Sequence, residues 1–349
     1  MLALVCMPAR AAETMRVQMG APTQAAQIEG DLLSTGDDAE DARFSSVEAR
    51  KLVVTRADGK LKLDGEWVKG TAIRFRAGSA ALKANGMGVR GDVVALLHPS
   101  GVLLVNVLPL EDYLVGVLGS EMPKSFPLEA LKAQAVAART YALQKKLEQY
   151  GQPFHPGSSV ISQVYGGLKA EDPRTRAAVE ETRGLVLTFD LQPIEAYFHS
   201  SCGGKTESGA NALGRDLPYL QPVSCPCGRL PSSQWTMALS TAELKAALGS
   251  KPSGLKVEGR TLTGRVKRVH YGSSSLDAVT FRARVGYMKL KSLQFQLEPT
   301  AAGWLVHGQG FGHGAGMCQW GAKVLADQGM TYTKILAHYY PGTELQVLY

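Results

Sequence analysis

The 349-residue sequence has no apolar run long enough to cross a bilayer, which takes roughly 18 residues or more. Its most apolar region, DVVALLHPSGVLLVNVLPL (92–110), is broken at His98-Pro99-Ser100-Gly101, and that break predicts a hairpin turn between two strands. No block of about five or six lysines and arginines occurs, which gives a basic nucleic-acid arm little support. Internal repeats are also absent. Cysteine is sparse, with five residues in the whole chain.

What is present is ordinary for a globular protein: 45% hydrophobic and 20% charged residues. The length suits one large domain or two average ones with a sizeable core. A formal net charge of +7 fits an anionic partner such as a wall polymer, a nucleic acid or a membrane surface, and does not choose among them. The N-terminus, MLALVCMPARAAE, carries a short apolar run ahead of Ala-Arg-Ala-Ala. This has the form of a signal peptide with an A-x-A cleavage site over residues 1–12, although no basic residue leads it. The expectation is an exported protein, periplasmic or extracellular.

The fold class expected is α+β. Residues 13–105 form a β-rich module. From Lys51 onward, KLVVTR, LKLDGEWV, TAIRFRA, GDVVALLH and GVLLVNVL read as strands punctuated by Asp58-Gly59, Asp64-Gly65 and Ser100-Gly101. STGDDAEDAR (34–43) reads as a loop. Residues 106–349 form a mixed domain whose helices cluster centrally. LEDYLVGVLG (110–119), PLEALKAQAVAARTYALQKKLEQY (127–150) and AEDPRTRAAVEETRG (170–184) are predicted helices. LVLTFD, IEAYFHSSCGG, RVKRVHYG, AVTFRARVG, LQFQLEP and GWLVHGQGFG are predicted strands, TAELKAALGS is a short helix, and two further helices flank Gly329.

The chemistry concentrates around Glu121, a carboxylate just ahead of the strongest helix. Lys132 and Arg139 are seven apart on that helix and so share a face. The stripe Leu131, Ala135, Ala138, Ala142 beside them is mostly small. Two readings stand. The cations hold an anion, with Glu121 favoured near the helix N-terminus, or they are solvated on an amphipathic helix and Glu121 is a surface cap. In GQGFGHGAG, glycines 308, 310, 312, 314 and 316 alternate with other residues. If extended, one face is bare, open to a ligand or another backbone. Of the cysteines, Cys6 leaves with the signal. Cys202, Cys225, Cys227 and Cys318 form either two disulfides or a four-thiolate zinc site, and C-P-C is tighter than the usual C-x2-C.

Several ordered blocks carry a family likeness: VNVLPLEDYLVGVLGSEMP, GSEMPKSFPLEALKAQAVAARTYAL, SQVYGG, AYFHSSCGGKTES, GQGFGHGAGMCQWGA and HYYPGTEL. Together they resemble the stage II sporulation protein D / amidase-enhancer family from about residue 100 to the C-terminus. The resemblance implies lytic transglycosylation of peptidoglycan glycan strands, preferably lacking stem peptides, with Glu121 as the catalytic acid. It also implies that Lys132 and Arg139 are the family's helix cations, and makes Tyr165, His199, Lys205 and His313 further cleft residues. A single carboxyl suffices where the sugar's own 6-hydroxyl closes a 1,6-anhydro ring, whereas ordinary glycosidases use two. Cations touching Glu121 would favour its charged form, so both are placed against sugar oxygens or the N-acetylmuramic carboxylate. Catalysis needs no cofactor on this reading. Some family members hold zinc just before the QVY block, but here Ile161-Ser162 stand there, with His155 the sole relic. The alternative is a non-catalytic wall-binding enhancer of an N-acetylmuramoyl-L-alanine amidase.

Overall fold

Alternation of buried and exposed side chains builds the N-terminal strands. In Lys51–Ala57, Leu52 and Val54 point inward between polar neighbours, the period of a half-buried strand. The computed structural model describes residues 13–31, 33–38, 43–47, 50–78, 81–154, 163–249 and 254–349. The signal-like segment, Cys6, His155 and Ile161-Ser162 lie outside these residues.

The chain divides into two compact units: residues 1–125, 138–186 and 346–349 in the first, and 126–137 with 187–345 in the second. The division differs from the compositional change at 105/106, because it follows packing, and the segment after residue 105 packs on the strands before it.

Two six-stranded sheets dominate the first unit. The central hairpin of one pairs Asp92–His98 with Gly101–Pro109, with His98 opposite Gly101, as the broken apolar run predicts. Thr14–Gln18 flanks it on one side and Ala72–Arg76 on the other. Ser34–Gly36, expected as loop, is instead a short strand on Arg74–Arg76. The second sheet is built around Ala25–Glu29 and Lys51–Ala57. Asp58 and Gly59, with φ of 47° and 70°, make the tight turn into Lys60–Leu63, since both central residues of such a hairpin need positive φ.

Helix α1 (Leu110–Glu121) follows directly, and α2 (Leu128–Glu148) begins one residue after Pro127. Leu128–Ala137 of α2 belong to the second unit and the rest to the first. Helix α3 (Pro173–Glu181) is capped by Asp172, whose side chain accepts from Arg174 N.

The second unit contains α4 (Gly209–Leu213), α5 (Thr241–Leu248), α6 (Ala278–Val285), α7 (Gln319–Asp327) and α8 (Tyr332–Tyr339). Its three-stranded sheets are Gln234–Ser240/Gly303–Gln309/Gln294–Thr300 and Lys256–Arg260/Val266–Tyr271/Ser274–Asp277. Leu244, Val269, Phe281, Leu290, Phe295 and Val306 fill the core beside them.

Two expectations change here. AVTFRARVG is a helix, α6, not a strand. Asp277 accepts from Thr280 N at its start, Gly286 ends it, and Ala278, Phe281 and Arg282 are buried at helical spacing. Of IEAYFHSSCGG only Phe198–His199 is strand, paired in parallel with Met317–Cys318. No helix among the described residues is long and apolar enough to cross a membrane.

Candidate functional site

Glu121 is the last residue of α1, followed by the extended Met122. It therefore stands at a helix C-terminus, where unpaired carbonyls disfavour negative charge, rather than only ahead of the next helix. The side chain is half-buried. Its Oε1 accepts a hydrogen bond from Val164 N at 2.8 Å, so the QVY block supplies a backbone donor to the carboxylate.

That segment reaches α1 because the helix presents little bulk to it. A Cβ on Gly116 would lie 2.7 Å from the Tyr165 ring, and one on Gly119 would lie 2.0 Å from Ala170 O. On either side of Val164 the chain is fastened by buried polar groups. Gln163 donates through Nε2 to Ala138 O at 3.1 Å and accepts from the Tyr113 hydroxyl at 2.8 Å. Tyr165 donates to Asn106 Oδ1 at 2.8 Å, and Asn106 in turn donates to Arg90 O and Asp92 O. Burial, with the charge of Glu121 adding to it, pushes the Tyr113 hydroxyl far above its ordinary value, and burial does the same to Tyr165. Both remain neutral donors. Tyr165, expected to bind substrate, is 5% exposed and positions the segment instead.

Arg139 also departs from expectation. It is fully buried and grips Glu111 with two bonds, Nε to Oε1 at 3.0 Å and Nη2 to Oε2 at 2.7 Å. It also donates to Leu185 O and Val179 O. Tyr349 OH and Gly184 N also donate to Glu111. Burial opposes the charge on Glu111, yet Arg139 holds its carboxyl below the usual carboxylate range. The guanidinium thus braces the first unit and presents no face to a sugar. A low-dielectric interior demands such a fully bonded partner. Lys132, in the second unit, is half-buried, bonds Glu129 Oε1 at 3.0 Å and lies over the Tyr332 ring.

In the second unit the glycine-rich segment is not an extended ribbon. Gly310, Gly312, Gly314 and Gly316 have φ of 78°, 123°, 93° and 68°, a backbone reserved for glycine. Would-be Cβ atoms at these positions would strike Ser201 O, the His199 side chain, the Arg265 guanidinium and Tyr197 O. The bare positions admit the protein's own chain.

His313 is locked as a neutral ring. Its Nδ1 accepts from Ala315 N at 3.1 Å and its Nε2 bonds Phe198 O at 2.9 Å. Burial draws its pKa down to about 4. His199, 5.3 Å away ring to ring, bonds Ala315 O through Nδ1. Its buried Nε2 has no hydrogen-bond partner among the described residues. Burial and then His313 push its pKa well below the ordinary value. Lys205 is exposed. Trp320 is half-buried and packs edge-on against Phe126.

A cavity of 570 Å³ in this unit is lined by Glu207, Asn211, Arg265, Lys267, Asp277 and His313 among others. Glu207 is buried and accepts from Thr261, Thr263, Ser208 N and Asn211. Burial opposes its charge, but these donors keep its pKa lowered. Of these residues the sequence reading found only His313. Glu207 stood within a recognised block, while Arg265, Lys267 and Asp277 carry no local signal.

The four cysteines Cys202, Cys225, Cys227 and Cys318 are all buried and unbridged, and their sulfurs lie within 4.8 Å of one another. Cys318 is also the N-cap of α7, where its sulfur accepts from Gly321 N.

Comparison with known proteins defines the class of this fold and site. Residues 98–189 match the family described as SpoIID, stage II sporulation protein. That span contains Glu121, Lys132, Arg139 and Tyr165; His199, Lys205, His313 and the four cysteines lie beyond it. Stage II sporulation protein D of Bacillus subtilis is 34% identical over 259 residues, covering 69% of this chain and 75% of that protein. An uncharacterised protein of Brachyspira hyodysenteriae is 34% identical over 268 residues, 75% of this chain and 73% of its own. The amidase enhancer of Bacillus subtilis is 32% identical over 290 residues, 66% of this chain but 40% of the relative. The chain belongs to the stage II sporulation protein D family.

Proposed function

We propose that this is an exported cell-wall enzyme that cuts peptidoglycan glycan strands by lytic transglycosylation, with Glu121 as its acid and base. The observation that carries the reading is the Glu121 carboxyl at the end of α1, half-buried and held by Val164 N. A backbone N–H can only donate, so Oε1 is held as an acceptor, and in its acid form the carboxyl carries the proton to be transferred. That proton passes to the leaving glycosidic oxygen as the C–O bond breaks. The resulting carboxylate then takes the proton of the sugar's 6-hydroxyl as O6 bonds to the anomeric carbon. The ring closes as a 1,6-anhydro end, and the carboxyl returns to its starting state. No water is consumed and no second carboxyl is needed. Strands lacking stem peptides are the proposed substrate. Within the second unit, the exposed Lys205 offers a cation to an anionic wall polymer.

The likeness to a protein named amidase enhancer favours a second reading, a wall-binding partner that stimulates an amidase. One experiment separates the two. Purified protein is incubated with denuded glycan strands and the products are weighed by mass spectrometry. The enzyme reading expects 1,6-anhydromuramyl ends, reduced about 100-fold or more in Glu121→Gln, a change that keeps the Val164 acceptor. Wild-type binding without any cleavage overturns the enzyme reading and supports the enhancer instead.

A further inference from the structure

The geometry points to a structural zinc site made by Cys202, Cys225, Cys227 and Cys318 in the second unit. A tetrahedral zinc bonded to four thiolates at about 2.3 Å sets its sulfurs about 3.8 Å apart. Here all four lie within 4.8 Å of one another, with Cys202 and Cys227 at 3.3 Å. Every sulfur neighbours every other, so the arrangement encloses a centre rather than sorting into two pairs.

The backbone is shaped for this convergence. Gly203 and Gly204, with φ of 79° and 114°, turn the chain after Cys202. Cys225 N donates to Gly204 O at 2.9 Å, closing that turn onto the Cys-Pro-Cys turn. A Cβ on Gly228 would come 2.7 Å from Gly204 Cα, and one on Gly321 would come 2.3 Å from the Cys225 sulfur. Gly228 thus leaves room for the 203–204 turn, and Gly321 for the Tyr339 hydroxyl and the Cys225 sulfur.

The surroundings suit thiolates. Cys202 N and Gly321 N both donate to the Cys318 sulfur at 3.3 Å. Ser201 Oγ donates to Cys227, and the Tyr339 hydroxyl lies 3.2 Å from the Cys225 sulfur. A thiolate can only accept, which makes Tyr339 the donor. The buried Arg265 guanidinium donates to Cys202 O and Lys205 O alongside. Such outer donors hold a metal's ligands in place. Four thiols lose four protons to solvent as they bind one divalent ion, leaving two negative charges that these donors and Arg265 offset. All four coordination positions belong to buried protein atoms, which makes the site closed and structural. It ties the start of α7 to the turns at 202 and 225–227.

An oxidising compartment favours disulfides, so the test must separate the two. The full chain is purified aerobically without reductant. Elemental analysis is expected to give one zinc per chain. Unfolding in excess iodoacetamide, without reductant, is expected to alkylate all four cysteines, with peptide mapping keeping Cys6 apart. Cys318→Ser is expected to lose the zinc and melt at a lower temperature; should that variant not fold, the wild-type metal and thiol measurements still decide. Four unalkylated cysteines in a chain four hydrogens lighter, or four free thiols without stoichiometric metal, or a different metal in the site, each overturn the assignment. None of these readouts depends on Glu121 or on cleavage.

Discussion

Arg139 shows how far one residue's position differs from its type. A cation seven residues from Lys132 on an alanine-rich helix is readable in the sequence, but its partner is not. Glu111 lies 28 positions back, and Val179 and Leu185 lie 40 and 46 ahead. Removing only the cation strands a buried carboxylate. Arg139→Met is expected to destabilise the protein by about 3–5 kcal/mol, measured by urea denaturation. Glu111→Gln combined with Arg139→Met should cost less than the two changes summed, because a neutral amide needs no counter-charge. Equal and additive losses would show that the pair is not coupled. Glu121 was legible for a different reason: it stands in a long recognisable block whose order along the chain carries the likeness. The Val164 donor was invisible, because a backbone N–H has no letter of its own.

At the scale of elements, periodicity located most helices and strands, and it failed where end signals outweighed alternation. Val279, Phe281, Ala283 and Val285 alternate as a strand would, yet Asp277 and Gly286 cap a helix around them. The glycine-rich segment failed similarly. Its alternation is real, but the groups that need the space come from distant parts of the chain, Tyr197, Ser201 and Arg265. The contact between α1 and the QVY block makes a sharper claim. Gly119 faces Ala170 O, and a backbone oxygen cannot rotate away as a side-chain tip can. Gly119→Ala is expected to push the 163–170 segment off the helix, at about 1–3 kcal/mol. It should also lose the Val164 bond to Glu121. Strand cleavage should then fall while circular dichroism keeps the helical signal. Unchanged cleavage would mean that Val164 does not aim the carboxyl.

On the scale of the whole molecule, the two units answer to pH through different groups. In the first, Glu111 is held ionised below its ordinary 4.5. Its contribution is complete above that value and is lost as pH falls through the lower folded value. In the second, His313 is held neutral, its pKa drawn from 6.5 to about 4 by burial, with the cations of Arg282 and Arg265 adding to it. Its contribution is complete above about 6.5 and drains away as pH falls toward 4, because the unfolded chain takes up the proton first. Glu207, in the same unit, behaves like Glu111 and weakens only in stronger acid. Between pH 6.5 and 5, therefore, the second unit should loosen while the first does not. Hydrogen exchange followed by mass spectrometry reads the units separately. At pH 5, corrected for intrinsic exchange rates, peptides from 234–309 should lose protection relative to pH 7.5, and peptides from 92–121 should not. His313→Gln removes one of the two depressed rings and should weaken, not abolish, the response of the second unit, since the buried His199 is shifted in the same direction. Parallel losses in both units, or an unaltered response in that variant, would show that His313 does not set the acid sensitivity.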